Sequence, residues 1–265
     1  MILKIIRFLN HALTLMVSFV LICTGAYACY ALWDNHQVYQ AAEDVRADML
    51  RLKPSAEGEG GPSFEELLKI NPDVCAWITM DNTRIDYPVL QGEDNLAYIN
   101  TDVYGDFALA GSIFLDSRCD REFDQAYSLL YGHHMENGSM FGDLDLYKEE
   151  KFFRENRTGT LLLPAKVMSL QTMACLLAEA SDDKVFETDQ WQEDIPGFLD
   201  YVRENALYCE EDLLDAVEEQ ERAASAGGEQ ESSRILVLST CSSEFTNART
   251  ILITLMQEEG PGRGK

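Results

Sequence analysis

Cys241 closes a short apolar run, Ile235–Leu238, through Ser239 and Thr240, and a polar stretch, Ser242 to Asn247, follows it. Arg249 then opens a second β-prone run that continues to Leu255. The pattern reads as strand, loop, strand. A thiol at the end of one rigid strand and a guanidinium at the start of the next suit acyl transfer. The thiol attacks a carbonyl, and the cation stands where negative charge develops. The competing reading is a buried core thiol, the ordinary state of a cysteine beside an apolar strand.

A thiol nucleophile needs a proton partner, and the chain has only four histidines. His11 and His36 fall in and just after an apolar N-terminal stretch. The other two are adjacent, in Tyr131-Gly132-His133-His134-Met135, after the β-type run Ala126–Leu130. One of that pair is therefore nearly the only imidazole available to Cys241 in the folded part. A histidine at a strand end is otherwise a surface or hydrogen-bonded residue.

Elements that would position these groups can be traced along the chain. Lys4 and Arg7 precede an apolar run from about Phe8 to Trp33, long enough for one transmembrane helix. Basic residues before it and acidic ones after it predict a cytoplasmic N-terminus and an extracellular remainder. A cleaved signal peptide is the rival, since Ala26-Tyr27-Ala28 imitates a cleavage site. Trp33, which suits the membrane interface, favours the uncleaved anchor. Residues 1–33 are thus a cytoplasmic stub and anchor, and 34–62 a juxtamembrane helix and linker. Within the latter, His36–Leu52 is amphipathic and Pro54–Pro62 is a Gly- and Glu-rich hinge. Ser63-Phe64-Glu65-Glu66 forms a capping box for a short helix to about Ile70.

Strands are expected over Val74–Ile78, Arg84–Val89, Gly111–Asp116 and Leu129–His133, with two more between Thr160 and Leu177. Asp94–Asn100 is read as a helical turn. Met140–Tyr147 and Glu150–Asn156 are read as short helices. Thr188–Leu207 is read as one helix with Trp191, Ile195, Phe198, Leu199 and Val202 on one face. An acidic insertion at about 210–233 contains a helix over Glu211–Ala224 and then a flexible break. It is either inert or a cover over the substrate groove. A catalytic domain would span 63–257, with 258–265 a flexible tail.

The formal charge of −25 argues against nucleic acid and against adhesion to anionic lipid. No repeat, Walker loop, dinucleotide fingerprint or metal-ligand cluster appears, and no cofactor is expected. Seven widely spaced cysteines do not suggest zinc; Cys23 and Cys29 fall within the anchor, and the five outside it, Cys241 excepted, read as mostly buried thiols.

Taken together the residues resemble the sortases, and within them class B. The likeness rests on Leu238-Ser239-Thr240-Cys241 with Arg249, and on Tyr131-Gly132-His133-His134-Met135 followed by Asn137-Gly138-Ser139-Met140-Phe141-Gly142-Asp143-Leu144. It rests also on Ile85-Asp86-Tyr87-Pro88-Val89 with Gln91, on Asp94-Asn95, and on Gly111-Ser112-Ile113-Phe114-Leu115-Asp116. It covers roughly Phe64 to Leu255. The resemblance implies a mainly β fold: a closed sortase-type barrel with N-terminal and peripheral helices and a helix before the nucleophile strand. It implies a membrane-anchored cysteine transpeptidase of a Gram-positive cell surface. Such an enzyme cuts the sorting signal of a secreted protein after its Thr and passes the acyl group to an amine of the cell wall or a pilin. Cys241 is then the thiolate, His133 the acid and base, and Arg249 the donor to the acyl oxygen, while His134 is a structural neighbour. Asn95, Tyr131, Ser239 and Thr240 match positions near the substrate groove. The insertion before the nucleophile strand is longer than the family pattern. The alternatives are a membrane-anchored cysteine hydrolase and a non-enzymatic wall-binding β-domain. A papain-like order is disfavoured, because there Cys precedes His.

Overall fold

The computed structural model describes residues 2–54, 63–179, 184–226, 232–241 and 248–259. The chain divides into two units, Met1–Ala41 and Ala42–Lys265. Helix α1 (Ile2–Leu50) fills the first and runs into the second. It is long and apolar enough to cross a membrane, its best window reaching a mean hydropathy of 2.0. Two helices were expected here, over about 8–33 and 36–52. One continuous helix forms because no Pro or Gly stands between Trp33 and His36, and it stops short of Pro54. Helix α2 (Phe64–Ile70) follows, but Ser63 makes no side-chain cap, so the capping-box expectation is not met.

Among the described residues nine strands follow: β1 (Val74–Met80), β2 (Asp86–Leu90), β3 (Ile113–Leu115), β4 (Tyr127–His133), β5 (Thr158–Leu162), β6 (Val167–Glu179), β7 (Ala206–Cys209), β8 (Arg234–Cys241) and β9 (Ala248–Glu258). Eight of them close a barrel in the order β5-β1-β2-β3-β4-β8-β9-β6, because β6 pairs back onto β5. Strand β7 adds to the free side of β6. Closure removes sheet edges that would otherwise expose unpaired backbone groups. Its centre is the parallel pair β4–β8. Both strands are apolar almost throughout, as strands covered on both faces require, and Leu129, Leu130 and Ile235 through Leu238 are fully buried.

Around the barrel, a 3₁₀ helix at Gly142–Lys148 and α3 (Glu150–Glu155) stand where short helices were expected. Residues 94–100 form turns with i→i+3 bonds, Ala97 N to Asp94 O and Ile99 N to Leu96 O, as the helical turn expected there requires. The single helix expected over 188–207 is two, α4 (Thr188–Glu193) and α5 (Ile195–Asn205). Asp194 makes the break: its carboxylate accepts from Gly197 N at 2.9 Å, and Pro196 sits in the first turn of α5. The apolar face is as expected, with Trp191, Ile195, Phe198, Leu199 and Val202 all buried.

Helix α6 (Glu211–Ser225) occupies the insertion. Arg203 of α5 holds its Asp215 and Glu218 at 2.9 Å each, and Glu221 accepts from Ser233 N at the start of β8. That end of β8 is the one far from Cys241. Glu258, expected in the tail, still belongs to β9; residues 260–265 lie outside the described ones.

Candidate active site

The β4–β8 register runs from Tyr127↔Ile235 to His133↔Cys241. The two residues, far apart in sequence, thus end up paired on adjacent strands, which lie about 4.8 Å apart. Strand β9 runs antiparallel beside β8, with Ser239 opposite Ile251. The paired positions stop there: Cys241 lies two residues beyond Ser239 on β8, and Arg249 two residues before Ile251 on β9. Thr250 N donates to Thr240 Oγ1 at 3.1 Å, which holds the two strands together where their ladder ends. His133, Cys241 and Arg249 therefore stand at neighbouring ends of three adjacent strands, β4, β8 and β9.

His133 is half-buried, and its Nε2 lies 2.7 Å from the Ile99 carbonyl. A carbonyl only accepts, so Nε2 carries a proton and a neutral ring keeps its lone pair on Nδ1. Gly111 fixes that carbonyl. At φ +58° a Cβ there would stand 2.1 Å from Ile99 O, so only glycine admits the approach. Gly111→Ala is expected to push the carbonyl off His133 and lower kcat/KM by about tenfold, with a loss of roughly 1–2 kcal/mol of stability. Peptide cleavage and thermal unfolding measured on the same sample check both.

His134 points to other partners. Its Nε2 meets Asp145 Oδ2 at 3.0 Å, Lys148 Nζ meets the same oxygen at 2.8 Å, and Thr250 Oγ1 donates to Asp145 Oδ1 at 2.6 Å. Asp145 thus ties the neighbour of His133 to the neighbour of Arg249. The hydrogen bond to Asp145 raises the His134 pKa above its ordinary 6.5. Burial alone would raise Asp145, but its bonds to His134, Lys148 and Thr250 bring it well below the usual carboxylate range. The histidine's share of stability is complete below its unfolded pKa and is lost as pH rises through the raised folded one. The aspartate's share is present above its unfolded pKa and is lost only in strong acid. The melting temperature should therefore fall by about 1–3 °C between roughly pH 6 and pH 8, a modest change because the pair is partly solvated. Thermal unfolding of Asp145→Asn over the same range should show a flatter profile.

A second carboxylate organises the other side. Asp116 is fully buried and accepts from Asn95 Nδ2 at 2.9 Å and Tyr131 Oη at 3.0 Å. Arg118 forks onto it through Nε at 2.9 Å and Nη2 at 2.8 Å. Burial disfavours its charge, yet the Arg118 bonds overcome this and hold the pKa below the ordinary carboxylate value. Burial and the Asp116 charge push the Tyr131 phenol far up, so it stays a donor. Asn95 and Tyr131 thus stand on one hub. Ser239, fully buried, and Thr240, nearly so, sit inside the strand pair; Ser239 Oγ donates to Thr240 O at 3.2 Å.

The side chain of Arg249 is half-buried, its Cζ 4.5 Å from the centroid of the Phe186 ring. In the sequence Asp116 stands only as the last residue of the Gly111–Asp116 motif, and nothing local marks Arg118, Asp145, Ile99 or Phe186. Phe186 has no local signal, because its contact with Arg249 is purely tertiary.

The remaining thiols outside α1 are poor nucleophiles. Burial pushes Cys75, Cys119 and Cys175 up to about 12, and half-buried Cys209 rises to about 11 through desolvation and Glu211. Among the described residues, no group of three His, Cys, Asp or Glu could hold a metal ion.

No family model matches the chain. It is 30% identical over 245 residues to Sortase B of Listeria monocytogenes, covering 91% of this chain and 93% of that protein. Sortase B of Staphylococcus aureus is 26% identical over 252 residues, 94% of this chain and 96% of the relative. Among solved structures, a Streptococcus pyogenes class B sortase involved in pilus biogenesis superposes with a TM-score of 0.62 at 33% identity, over 73% of this chain and 97% of that one. Clostridium perfringens sortase B gives 0.61 at 29% identity, over 74% and 100%.

Proposed function

The chain belongs to the class B sortases, sortase-type transpeptidases, and from that premise we propose that Cys241, His133 and Arg249 carry out its acyl transfer. What supports the reading is the placement of the three on adjacent strands: His133 and Cys241 paired across β4 and β8, and Arg249 at the neighbouring end of β9.

The Cys241 thiolate attacks the carbonyl carbon of the Thr in a sorting signal. Negative charge gathers on the carbonyl oxygen, and the Arg249 N–H groups stabilise it. The tetrahedral species collapses, the C–N bond breaks, and protonated His133 gives its proton to the departing amine. The thioester remains. An amine of the cell wall or of a pilin then attacks it, neutral His133 takes the amine's proton, and the thiolate leaves. Asn95, Tyr131, Ser239 and Thr240 shape the groove, chiefly by holding its walls. No cofactor enters any step.

We assign residues 1–33 as the anchor, with the N-terminus cytoplasmic and the domain from about residue 63 outside the cell. The apolar part of α1 supports this.

The test is a panel of quenched pentapeptides of the NPxTx and xPxTG types with an added amine, the products identified by mass. The reading expects an amide joining the acyl fragment to the amine. Free acid alone, unaffected by amine, favours the hydrolase. Silence on every peptide overturns the reading.

A further inference from the structure

We propose that Phe186 is a positioning residue for the transfer: its ring is the seat that holds the Arg249 guanidinium in place, and the Asp116–Arg118 pair fixes that seat. The proposal rests on the reading of Arg249 as donor to the acyl oxygen.

Arg249 Cζ lies 4.5 Å from the Phe186 ring centroid, within the range of a cation–π attraction. Its Nε is buried, and no described residue accepts a hydrogen bond from it. A buried, unpaired guanidinium N–H is costly unless something else favours the cation at that place. The ring face supplies that attraction without consuming a donor. A carboxylate partner would hold the cation equally well, but it would occupy two N–H groups and cancel charge needed by a developing oxyanion.

Phe186 is itself fixed. Its backbone carbonyl accepts from Arg118 Nη2 at 2.9 Å, and Arg118 is forked onto buried Asp116. Its ring stacks on Tyr131 with centroids 6.1 Å apart and planes at 17°, and the Tyr131 hydroxyl donates to the same Asp116. Backbone and ring of Phe186 are thus both referred to one carboxylate. Tyr131 lies two residues before His133 on β4, so the strand that carries the proton donor also backs the seat of the cation.

The experiment uses the full chain in detergent micelles and the best-cleaved pentapeptide of the NPxTx and xPxTG panel, with triglycine as acceptor. It compares Phe186→Leu, Phe186→Tyr and stepwise fluorination of the Phe186 ring, which weakens the negative face while keeping the shape. Each change is also made in an Arg249→Ala background. The proposal expects kcat to fall progressively with fluorination and by about tenfold for Phe186→Leu. KM and melting temperature should change little, and Phe186→Tyr should stay close to wild type. In the Arg249→Ala background the fluorination series should be flat. A flat series with Arg249 present, or an equal decline with Arg249 removed, overturns the proposal. Full transfer by Arg249→Ala itself overturns instead the reading of Arg249, and silence on every peptide overturns the reading of the whole site.

Discussion

Replacing Cys241 with Ala is expected to abolish acyl transfer, turnover falling by about 10⁴-fold or more. The whole route passes through a bond to this sulfur. Without it His133 and Arg249 still stand on their strands, but nothing left at the site can bond to the acyl carbon. The other thiols of the barrel unit offer no substitute, since Cys75, Cys119 and Cys175 are buried and only Cys209 is half-exposed. The substitution should leave the fold intact, because the β8 ladder to β4 and β9 is a backbone feature. Single-turnover cleavage and circular dichroism on the same preparation separate loss of chemistry from loss of structure. Retention of more than about one per cent of the activity would remove Cys241 from the mechanism.

Arg249→Ala is expected to lower kcat by about 10²–10³-fold, the usual cost of deleting one preorganised donor to an oxyanion. KM should move far less, because the charge that Arg249 meets develops after binding. Stability should hardly change: the guanidinium rests on the Phe186 ring, and no described acceptor loses a partner when it goes. Arg249→Lys should recover only part of the rate. A flexible ammonium cannot lie flat on the ring while presenting a fork of donors. Steady-state kinetics of the three proteins decides this. A rise in KM with kcat unchanged would make Arg249 a substrate-binding group instead.

Much of the barrel is legible in the sequence because its strands are short apolar runs with turn residues between them. The pairs 126–130 and 235–238 show this, and both prove to be buried parallel strands. That His133 meets Cys241 is not legible from those runs, since a parallel register is set by packing on both faces of the sheet rather than by any local signal. The resemblance carried by the motifs supplied that pairing. The break at Asp194 had a visible cue in Pro196, but the apolar stripe on either side of it suggested one helix. Strand β7 has only four residues and is half-buried, too short a pattern to stand out. The Asp116 hub and the Phe186 seat could not be read in advance. Their partners come from separate parts of the chain and meet only once the barrel closes.

On the proposed route the acyl group rides on Cys241 before it reaches an amine. The most direct measurement is intact-protein mass after mixing the full chain with a cleavable sorting pentapeptide and quenching with acid. The account predicts an adduct with the mass of the N-terminal acyl fragment, mapped to Cys241, that discharges faster when triglycine is added. No adduct during active cleavage, or an adduct whose discharge ignores the amine, would contradict it.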